Sequence, residues 1–191
     1  MADCTNVMFV GGETGEFHIK NLLEQFGCKY YHNIYFKDDN GDVCQVDFIA
    51  VLDGTLAIIE VKNYTRCAIY GELNEKTWIA NYRSGPKKFY NPIMQNEKHI
   101  SIIKNCLLGK AETLSNVVVF SSGSSINVDV SDVSNVDVVD IAALWYLLIE
   151  LKSKAKTISK DKYDAIIERL DYFKLRYNEL SAEHKKYFKG R

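Results

Sequence analysis

Two apolar segments separated by the dipeptide Asp53-Gly54 constrain the fold of this chain more than any other feature. Residues 43–52 and 55–63 are rich in β-branched and aromatic residues, which is typical of strands. An Asp-Gly pair between two such segments is a strong signal for a hairpin with a two-residue turn. In that hairpin the residues that flank the turn face each other, and every pair of facing residues has numbers that add up to 107.

The same register brings two acidic residues together on the predicted sheet. Asp47 is expected opposite Glu60, and Gln45 opposite Lys62. Because strand side chains alternate with a period of two, Asp47, Glu60 and Lys62 are expected on one face. Opposed Cβ atoms lie about 5 Å apart, and like charges at that distance destabilise a sheet unless something compensates them. A divalent cation would compensate, because paired carboxylates are oxygen ligands that Mg²⁺ accepts while it keeps several waters.

Lys62 allows more than one interpretation. In a hydrolytic site it can orient or deprotonate a water that attacks a phosphodiester, or neutralise charge on the phosphorane. The alternative is an ordinary ion pair between Glu60 and Lys62 on an exposed sheet face, in a protein with a purely structural role. The expected position of Asp47 favours the hydrolytic site, because an ion pair alone leaves this facing acid unexplained.

A third acid lies on a predicted helix. Residues 14–26 carry apolar side chains at helical spacing, with Thr14 as the expected N-cap. Glu16 belongs to the apolar stripe of this helix, because it precedes Ile19 by three residues. Glu16 is therefore a candidate for the same site. The alternative is a first-turn acid that the helix dipole stabilises.

The rest of the chain alternates strand and helix patterns, which indicates an α/β or α+β domain. A helix is expected from Pro92 to about residue 108. Another begins at Asp140 and, being apolar all round, should be buried. A final amphipathic helix carries the stripe Tyr163, Ile166, Ile167, Leu170, Phe173 and Tyr177. Further strands are predicted at residues 28–36, 67–71, 116–120 and 136–139, and a strand or a turn is expected around Trp78.

Charge is distributed unevenly along the chain. Of 24 Lys or Arg and 25 Asp or Glu, residues 151–191 hold 12 basic and 6 acidic ones, although the formal net charge of the whole chain is -1. We interpret residues 1–150 as the core and residues 151–191 as a basic helical extension packed on the same domain. The extension is either a contact for a polyanion or a solvated helix surface.

Cysteine usage and hydropathy indicate a soluble cytoplasmic protein without a membrane partner. The five cysteines are widely spaced and form no C-x-x-C pair, so neither a zinc site nor a disulfide framework is expected. The four histidines show no metal-ligand spacing. No segment reaches the roughly 20 apolar residues that cross a bilayer, and the N-terminus lacks the pattern of a secretory leader.

Four segments in sequence order carry a resemblance to a known family: "GGETGE", "QVDFIAV", "IIEVKNY" and, after a tryptophan, "NPIMQNEKH". Together they closely resemble the nuclease-related domain (NERD) family, a branch of the PD-(D/E)xK nuclease superfamily, over roughly residues 10–108. The resemblance implies a restriction-endonuclease-like core, with a central mixed β-sheet flanked by helices, and Mg²⁺- or Mn²⁺-dependent hydrolysis of DNA. The alternative is a catalytically weak module that binds nucleic acid or docks a partner on the same fold.

The resemblance also assigns roles to individual residues. Asp47 and Glu60 match the metal-binding acids, Lys62 the catalytic lysine and Glu16 the helix-borne acid of the superfamily. Gln95 is similar to a later glutamine that contacts the attacking water, a metal-bound water or a phosphate. The segment "YTRCAIYG" departs from the family pattern, because it lacks the usual glycine after the Tyr64 region and is one residue longer.

A basic segment outside these motifs is a candidate for nucleic-acid binding. "RSGPKKFYN" combines Arg83, Lys87 and Lys88 with Phe89 and Tyr90, which together can grip a phosphate backbone and stack on a base. The alternative is a solvated connecting loop. DNA is the expected partner, with RNA as a second option. The oligomeric state stays open, with a homodimer as one possibility.

Overall fold

The computed structural model describes residues 13–107, 111 and 113–189. The helices in this part are α1 (Glu13–Phe26), α2 (Pro92–Leu107), α3 (Ile141–Lys154), α4 (Lys160–Leu175) and α5 (Tyr177–Lys189). The strands are β1 (Lys29–Lys37), β2 (Val43–Leu52), β3 (Thr55–Lys62), β4 (Ala68–Tyr70), β5 (Thr77–Tyr82), β6 (Gly85–Tyr90), β7 (Thr113–Phe120), β8 (Ser125–Asn127) and β9 (Val136–Asp140).

A mixed five-stranded sheet in the order β1-β2-β3-β7-β9 forms the centre of the fold. The β1-β2 and β2-β3 pairs are antiparallel, whereas β3-β7 and β7-β9 are parallel. Apolar side chains of α1 and α3 cover one face, and those of α2, α4 and α5 cover the other. This mixed α/β arrangement, with helices on both faces of a central sheet, confirms the expected fold class and is consistent with a restriction-endonuclease-like core.

The β2-β3 hairpin has the register that the Asp-Gly turn predicts. Its pairs run from Leu52 and Thr55 to Phe48 and Ile59, and each pair adds up to 107. Asp53 has a φ of 57°, the left-handed conformation that suits Asp in a tight turn. The paired region ends at Phe48, so the predicted pairing of Gln45 with Lys62 lies beyond it.

The inside-outside alternation of β2 is interrupted beside Asp47. Cys44 and Val46 pack on the same face of the sheet as Ile49 and Val51. The residues of β2 that point to this face are therefore even-numbered before Asp47 and odd-numbered after it. On β1, the neighbouring Asn33 has a φ of 50°. Irregularities of this kind re-aim side chains and are frequent next to active sites. The strict period-two argument therefore does not hold through Asp47.

The C-terminal segment is bonded to the hairpin turn. The Gly54 amide donates to the Lys156 carbonyl at 3.2 Å, and the Ile158 amide donates to Asp53 Oδ1 at 3.3 Å. The hydroxyl group of Tyr31, on β1, donates a hydrogen bond to Asp171 Oδ1 of α4 at 2.7 Å. The segment after α3 is thus part of the packed structure, and the division of the chain at residue 150 stays a prediction.

A second sheet, in the order β6-β5-β4-β8, packs beside the parallel strands. Its aromatic core contains Trp78, which stacks on Phe120 with ring centroids 6.5 Å apart. Gly71 lies against the Trp78 ring, where any side chain would collide with the indole. The strand predicted at 67–71 is confirmed as β4, and the strand or turn expected around Trp78 is the strand β5, whereas β6 and β8 were not predicted.

Several predictions about the helices need correction. Helix α3 is not buried all round, because Tyr146 is 74% exposed while Leu144 is buried on the sheet side. The final stripe belongs to two helices, since α4 ends at Leu175 and Tyr177 begins α5. Helix α1 starts at Glu13, so Thr14 lies inside its first turn, and its side chain is outside the described residues.

Two expectations from composition can be compared with the structure. The cysteines within the described ranges, Cys28, Cys44, Cys67 and Cys106, are all free thiols. None of the helices in the described part of the chain has the length and apolar character that a membrane crossing requires.

Candidate active site

Asp47 and Glu60 lie at the end of the paired part of the β2-β3 hairpin, one residue beyond Phe48 and Ile59. Asp47 Oδ2 accepts a hydrogen bond from the Val61 backbone amide at 2.8 Å, so its carboxylate reaches across to β3. Glu60 is buried, with 4% of its surface exposed. The hairpin therefore holds two carboxyl groups next to each other in a poorly solvated place.

The environment of this acid pair favours protonation. Burial, followed by the charge of Glu60, raises the pKa of Asp47 to about 7, and the charge of Glu16 adds to this effect. Burial also raises the pKa of Glu60, although Lys62 and Gln95 oppose the shift. Two neighbouring carboxyl groups whose pKa values are raised by burial are a frequent feature of functional sites.

Lys62 and Gln95 converge on one oxygen of Glu60. Lys62 Nζ lies 2.7 Å from Glu60 Oε1, and the Gln95 amide donates to the same oxygen at 2.7 Å. Lys62 also donates to Gln95 Oε1 at 2.9 Å, which closes a triangle of hydrogen bonds. The side chains of Lys62 and Glu60 are 18% and 6% exposed, so the pair that formed the alternative interpretation exists but is buried rather than superficial.

Gln95 reaches the site because the start of α2 is fixed by Asn91. The Asn91 carboxamide oxygen accepts the Ile93 amide at 2.9 Å, as an N-cap does. Its nitrogen donates to the carbonyls of Leu73 and Glu75 at 3.0 and 2.9 Å, which ties α2 to the turn before β5. Pro92 at the first helical position supports the same start. The segment Asn91-Pro92 thus fixes where α2 begins and which side of the helix, with Gln95 on it, faces the site.

His99 is a member of the site that the sequence analysis missed. It follows Gln95 by four residues on α2, and its Nδ1 lies 3.7 Å from Glu60 Oε2. This nitrogen is buried without a hydrogen-bond partner among the described residues. Burial, followed by the charge of Lys62, lowers the pKa of His99 to about 4, so the ring is neutral at neutral pH. The i, i+4 spacing of Gln95 and His99 was the sequence signal that places both on one helix face.

Glu16 lies at the edge of the cluster rather than inside it. Its Oε2 lies within hydrogen-bond distance of His32 Nε2, at 2.8 Å, and its side chain is 32% exposed. The His32 ring stacks on Phe48, with centroids 4.4 Å apart, which holds the imidazole in place beside Glu16. The charge of Glu16 adds to the raised pKa of Asp47, and a role of Glu16 in the site stays a prediction.

The acid pair opens into a cleft of about 800 Å³. Its walls come from β2, α2, the β1-β2 turn and α5. Asp47, Glu60, Gln95 and His99 all line it, together with Tyr90 and Lys98. The site is therefore accessible to a ligand.

A divalent metal ion is compatible with the oxygen donors of this site. Among the described residues, no three His, Cys, Asp or Glu side chains are arranged to hold a metal ion. Within the same part of the chain, the hydrogen bonds of Asp47 and Glu60 leave Asp47 Oδ1 and Glu60 Oε2 as potential ligands. Two carboxylates suit Mg²⁺, which is commonly bound through one or two carboxylates together with waters and substrate phosphates. The charge of Glu60 contributes to the raised pKa of Asp47, and a nearby cation would offset that contribution.

The predicted basic segment is not a loop but the β5-β6 hairpin. Arg83 lies in its turn, and Lys87 and Lys88 are exposed on neighbouring positions of β6, so they point to opposite faces. Lys87 Nζ is 5.8 Å from the centre of the Tyr64 ring. Phe89 packs on Tyr64 inside the aromatic core, with centroids 4.4 Å apart, and is thus not placed to stack on a base.

Comparison with known proteins gives a family, one relative and one solved structure. Residues 11–121 match the sequence profile of the nuclease-related domain. An uncharacterized protein of Bacillus anthracis is 32% identical over 96 residues, which cover 49% of this chain and 45% of the relative. The chain thus matches less than half the length of that relative. The crystal structure of AF1548, a protein of unknown function, aligns over 93% of this chain and 98% of that chain, with a TM-score of 0.38 and 15% identity.

Proposed function

Because this chain belongs to the nuclease-related domain family, we propose that it is a metal-dependent nuclease that hydrolyses phosphodiester bonds in DNA. The observation that supports this proposal most is that Asp47, Glu60 and Gln95 line one cleft, while Lys62 is hydrogen-bonded to both Glu60 and Gln95. Two acids, a lysine and an amide are the groups that metal-assisted hydrolysis of a phosphodiester needs.

Asp47 and Glu60 would hold Mg²⁺ or Mn²⁺ through Asp47 Oδ1 and Glu60 Oε2. When bound, such an ion polarises a phosphoryl oxygen and lowers the pKa of a water molecule. Asp47 must be ionised to act as a ligand, and its pKa of about 7 makes it ready to lose its proton near neutral pH. The charge of Asp47 would thus respond to pH in the range where the protein is expected to work.

Lys62 supplies positive charge beside the acids. Its ammonium group lies within hydrogen-bond distance of Glu60 and Gln95, so it can donate to a phosphate oxygen without a large movement. In that position it stabilises the extra negative charge that develops during attack on phosphorus. Gln95 holds Lys62 and Glu60 in one orientation. The second N–H of its side-chain amide can donate a hydrogen bond to a water in the cleft.

A second candidate function is a binding module with little turnover. The observation that favours it is the short Lys62–Glu60 pair, which occupies both the lysine and one acid. If this pair persists when DNA is bound, the lysine is not available to the phosphate. The two functions differ in whether DNA is cut.

Cleavage assays separate these possibilities. Linear, circular and single-stranded DNA are incubated with the protein in Mg²⁺, in Mn²⁺ and in EDTA. Cleavage is expected only with a divalent metal, and Asp47→Asn and Lys62→Met should each lower the rate by about a hundredfold or more. Glu75→Gln and Lys76→Met, at exposed positions in the turn before β5, are the matched controls and should cut normally.

A binding measurement completes the test. Mn²⁺ should raise the melting temperature of the native chain and of Lys62→Met, but not that of Asp47→Asn, because only the last lacks a ligand. Cleavage that survives both Asp47→Asn and Lys62→Met would refute the assigned site. Tight DNA binding without cleavage by the native chain would instead establish the binding module.

A further inference from the structure

The C-terminal helix α5 forms one wall of the cleft, although it lies outside the residues that match the family. It packs on β1 through Tyr35, whose ring contacts those of Tyr177 and His184 at 5.3 and 5.4 Å between centroids. Lys37 of β1 also pairs with Glu183 at 2.7 Å. His184 lines the cleft from this side. The site is therefore narrowed by a helix that is docked through several contacts.

The acid pair lies at the bottom of this narrowed space. The Glu60 side chain lines the cleft and is only 6% exposed, so a phosphate must enter the cleft to reach it. A volume of about 800 Å³ is in the range of small-molecule pockets, roughly 300–1,000 Å³. One strand over a few nucleotides would fill that space.

Negative charge in the cleft also disfavours the entry of a second DNA backbone. Asp38 and Asp42 line the cleft together with the catalytic acids. The Asp38 carboxylate accepts the backbone amides of Asn40 and Asp42 at 3.0 Å, which holds it in place. A second phosphate chain in this space would meet these carboxylates, and such repulsion is a common source of specificity.

An exposed aromatic residue lies at the same cleft. Tyr90, at the end of β6, is 40% exposed and lines the cleft. Lys98 of α2 places its Nζ 5.0 Å from the centre of the Tyr90 ring. An aromatic ring next to a lysine is the usual arrangement for stacking a base and binding its phosphate in single-stranded nucleic acid.

We propose that the cleft takes single-stranded DNA, with a base stacked on Tyr90, a phosphate bound by Lys98 and α5 excluding the second strand. This inference rests on the proposed nuclease function, since it specifies the substrate of the same site. Duplex DNA would be used only where its strands separate, as at a frayed end or a single-stranded overhang.

The test measures binding without cleavage. Fluorescence anisotropy in EDTA compares a labelled single-stranded oligonucleotide with the same sequence as a blunt duplex, using the full chain. The single strand should bind at least tenfold more tightly. Tyr90→Ala should weaken single-strand binding by about tenfold, while Tyr90→Trp keeps it, because stacking needs only an aromatic face. Lys98→Met should weaken it as well.

Matched controls make the outcome decisive. Tyr70→Ala removes a similarly exposed tyrosine of β4, and Lys104→Met removes an exposed lysine of α2, both outside the residues that line the cleft. Equal affinity for duplex and single strand, or equal effects of Tyr90→Ala and Tyr70→Ala, would overturn the proposal even if the protein cuts DNA. Preferential single-strand binding that depends on Tyr90, without cleavage in Mg²⁺ or Mn²⁺, would uphold it and refute the nuclease function.

Discussion

The side-chain amide of Gln95 donates to Glu60 Oε1 at 2.7 Å and links helix α2 to the third strand of the central sheet. The same amide accepts from Lys62, so one side chain orients both charged groups of β3. Its position depends on the packing of a helix that begins 30 residues after the strand ends. The site is therefore built by the tertiary structure and not by the hairpin alone.

Gln95→Leu is expected to lower the cleavage rate by about ten- to hundredfold, as is common when a residue that orients metal ligands is removed. The leucine keeps the volume of the side chain but leaves Lys62 and Glu60 without their shared partner. Initial rates with linear DNA in Mn²⁺ measure the effect. Gln25→Leu, at an exposed position of α1, is the control and should cut like the native chain.

Asp47→Asn should stabilise the metal-free fold at high pH. The pKa of Asp47 is about 7 in the folded protein and about 4 in an unfolded chain, so the folded state binds more protons between these values. Its contribution to stability is therefore present near pH 4 and is lost as pH rises through 7. Asparagine cannot ionise and can still accept the Val61 amide.

Urea unfolding in EDTA measures this difference. At pH 8 the free energy of unfolding of Asp47→Asn should exceed that of the native chain by on the order of 2 kcal/mol, whereas the two should be similar at pH 4. The control Asp39→Asn, in the exposed β1-β2 turn, should show no such trend. A difference that does not change with pH would contradict the assigned pKa.

His99→Phe should make the fold less sensitive to acid. The pKa of His99 is lowered to about 4, so the folded protein disfavours a charged ring, and stability is lost as pH falls from about 6.5 to 4. Phenylalanine preserves the packing and cannot ionise. The loss in the free energy of unfolding between pH 7 and pH 4 should shrink by roughly 2 kcal/mol. An unchanged acid sensitivity would show that His99 is solvated or already charged.

Asn91→Ala should destabilise the protein by about 3 kcal/mol, through the lost N-cap and the unpaired buried carbonyls. Asn91 is fully buried, whereas Asn74 in the preceding turn is exposed. Asn74→Ala is therefore the control, and it should stay within about 0.5 kcal/mol of the native chain. Because Asn91 also positions α2, its loss should lower cleavage at temperatures where the variant is still folded.

The sequence predicts the features that depend on local patterns. The turn at Asp53-Gly54 fixes the register of β2 and β3, and Pro92 marks the start of α2. These signals act over a few residues, so they can be interpreted without knowledge of the rest of the fold. The juxtaposition of the two acids follows from the first of them.

Features that depend on distant packing were missed. The sequence of β6 contains Pro86 and two lysines and is not typical of a strand, yet β6 pairs along the edge of the second sheet, where such residues are tolerated. The exposure of Tyr146 depends on which face of α3 meets the sheet. The position of His99 in the site depends on the packing of α2 against the sheet, because the neighbouring Glu60 is 39 residues away in sequence.

The bonds between the hairpin turn and residues 156–158 have a consequence for synthesis on the ribosome. A nascent chain that has emerged only as far as α3 already contains both acids, the lysine and the glutamine. The turn at Asp53 and Gly54 is still open to water at that stage, because its partners Lys156 and Ile158 are still inside the ribosome. The hairpin that carries the carboxylates is thus completed late, and translation itself delays the appearance of a finished site.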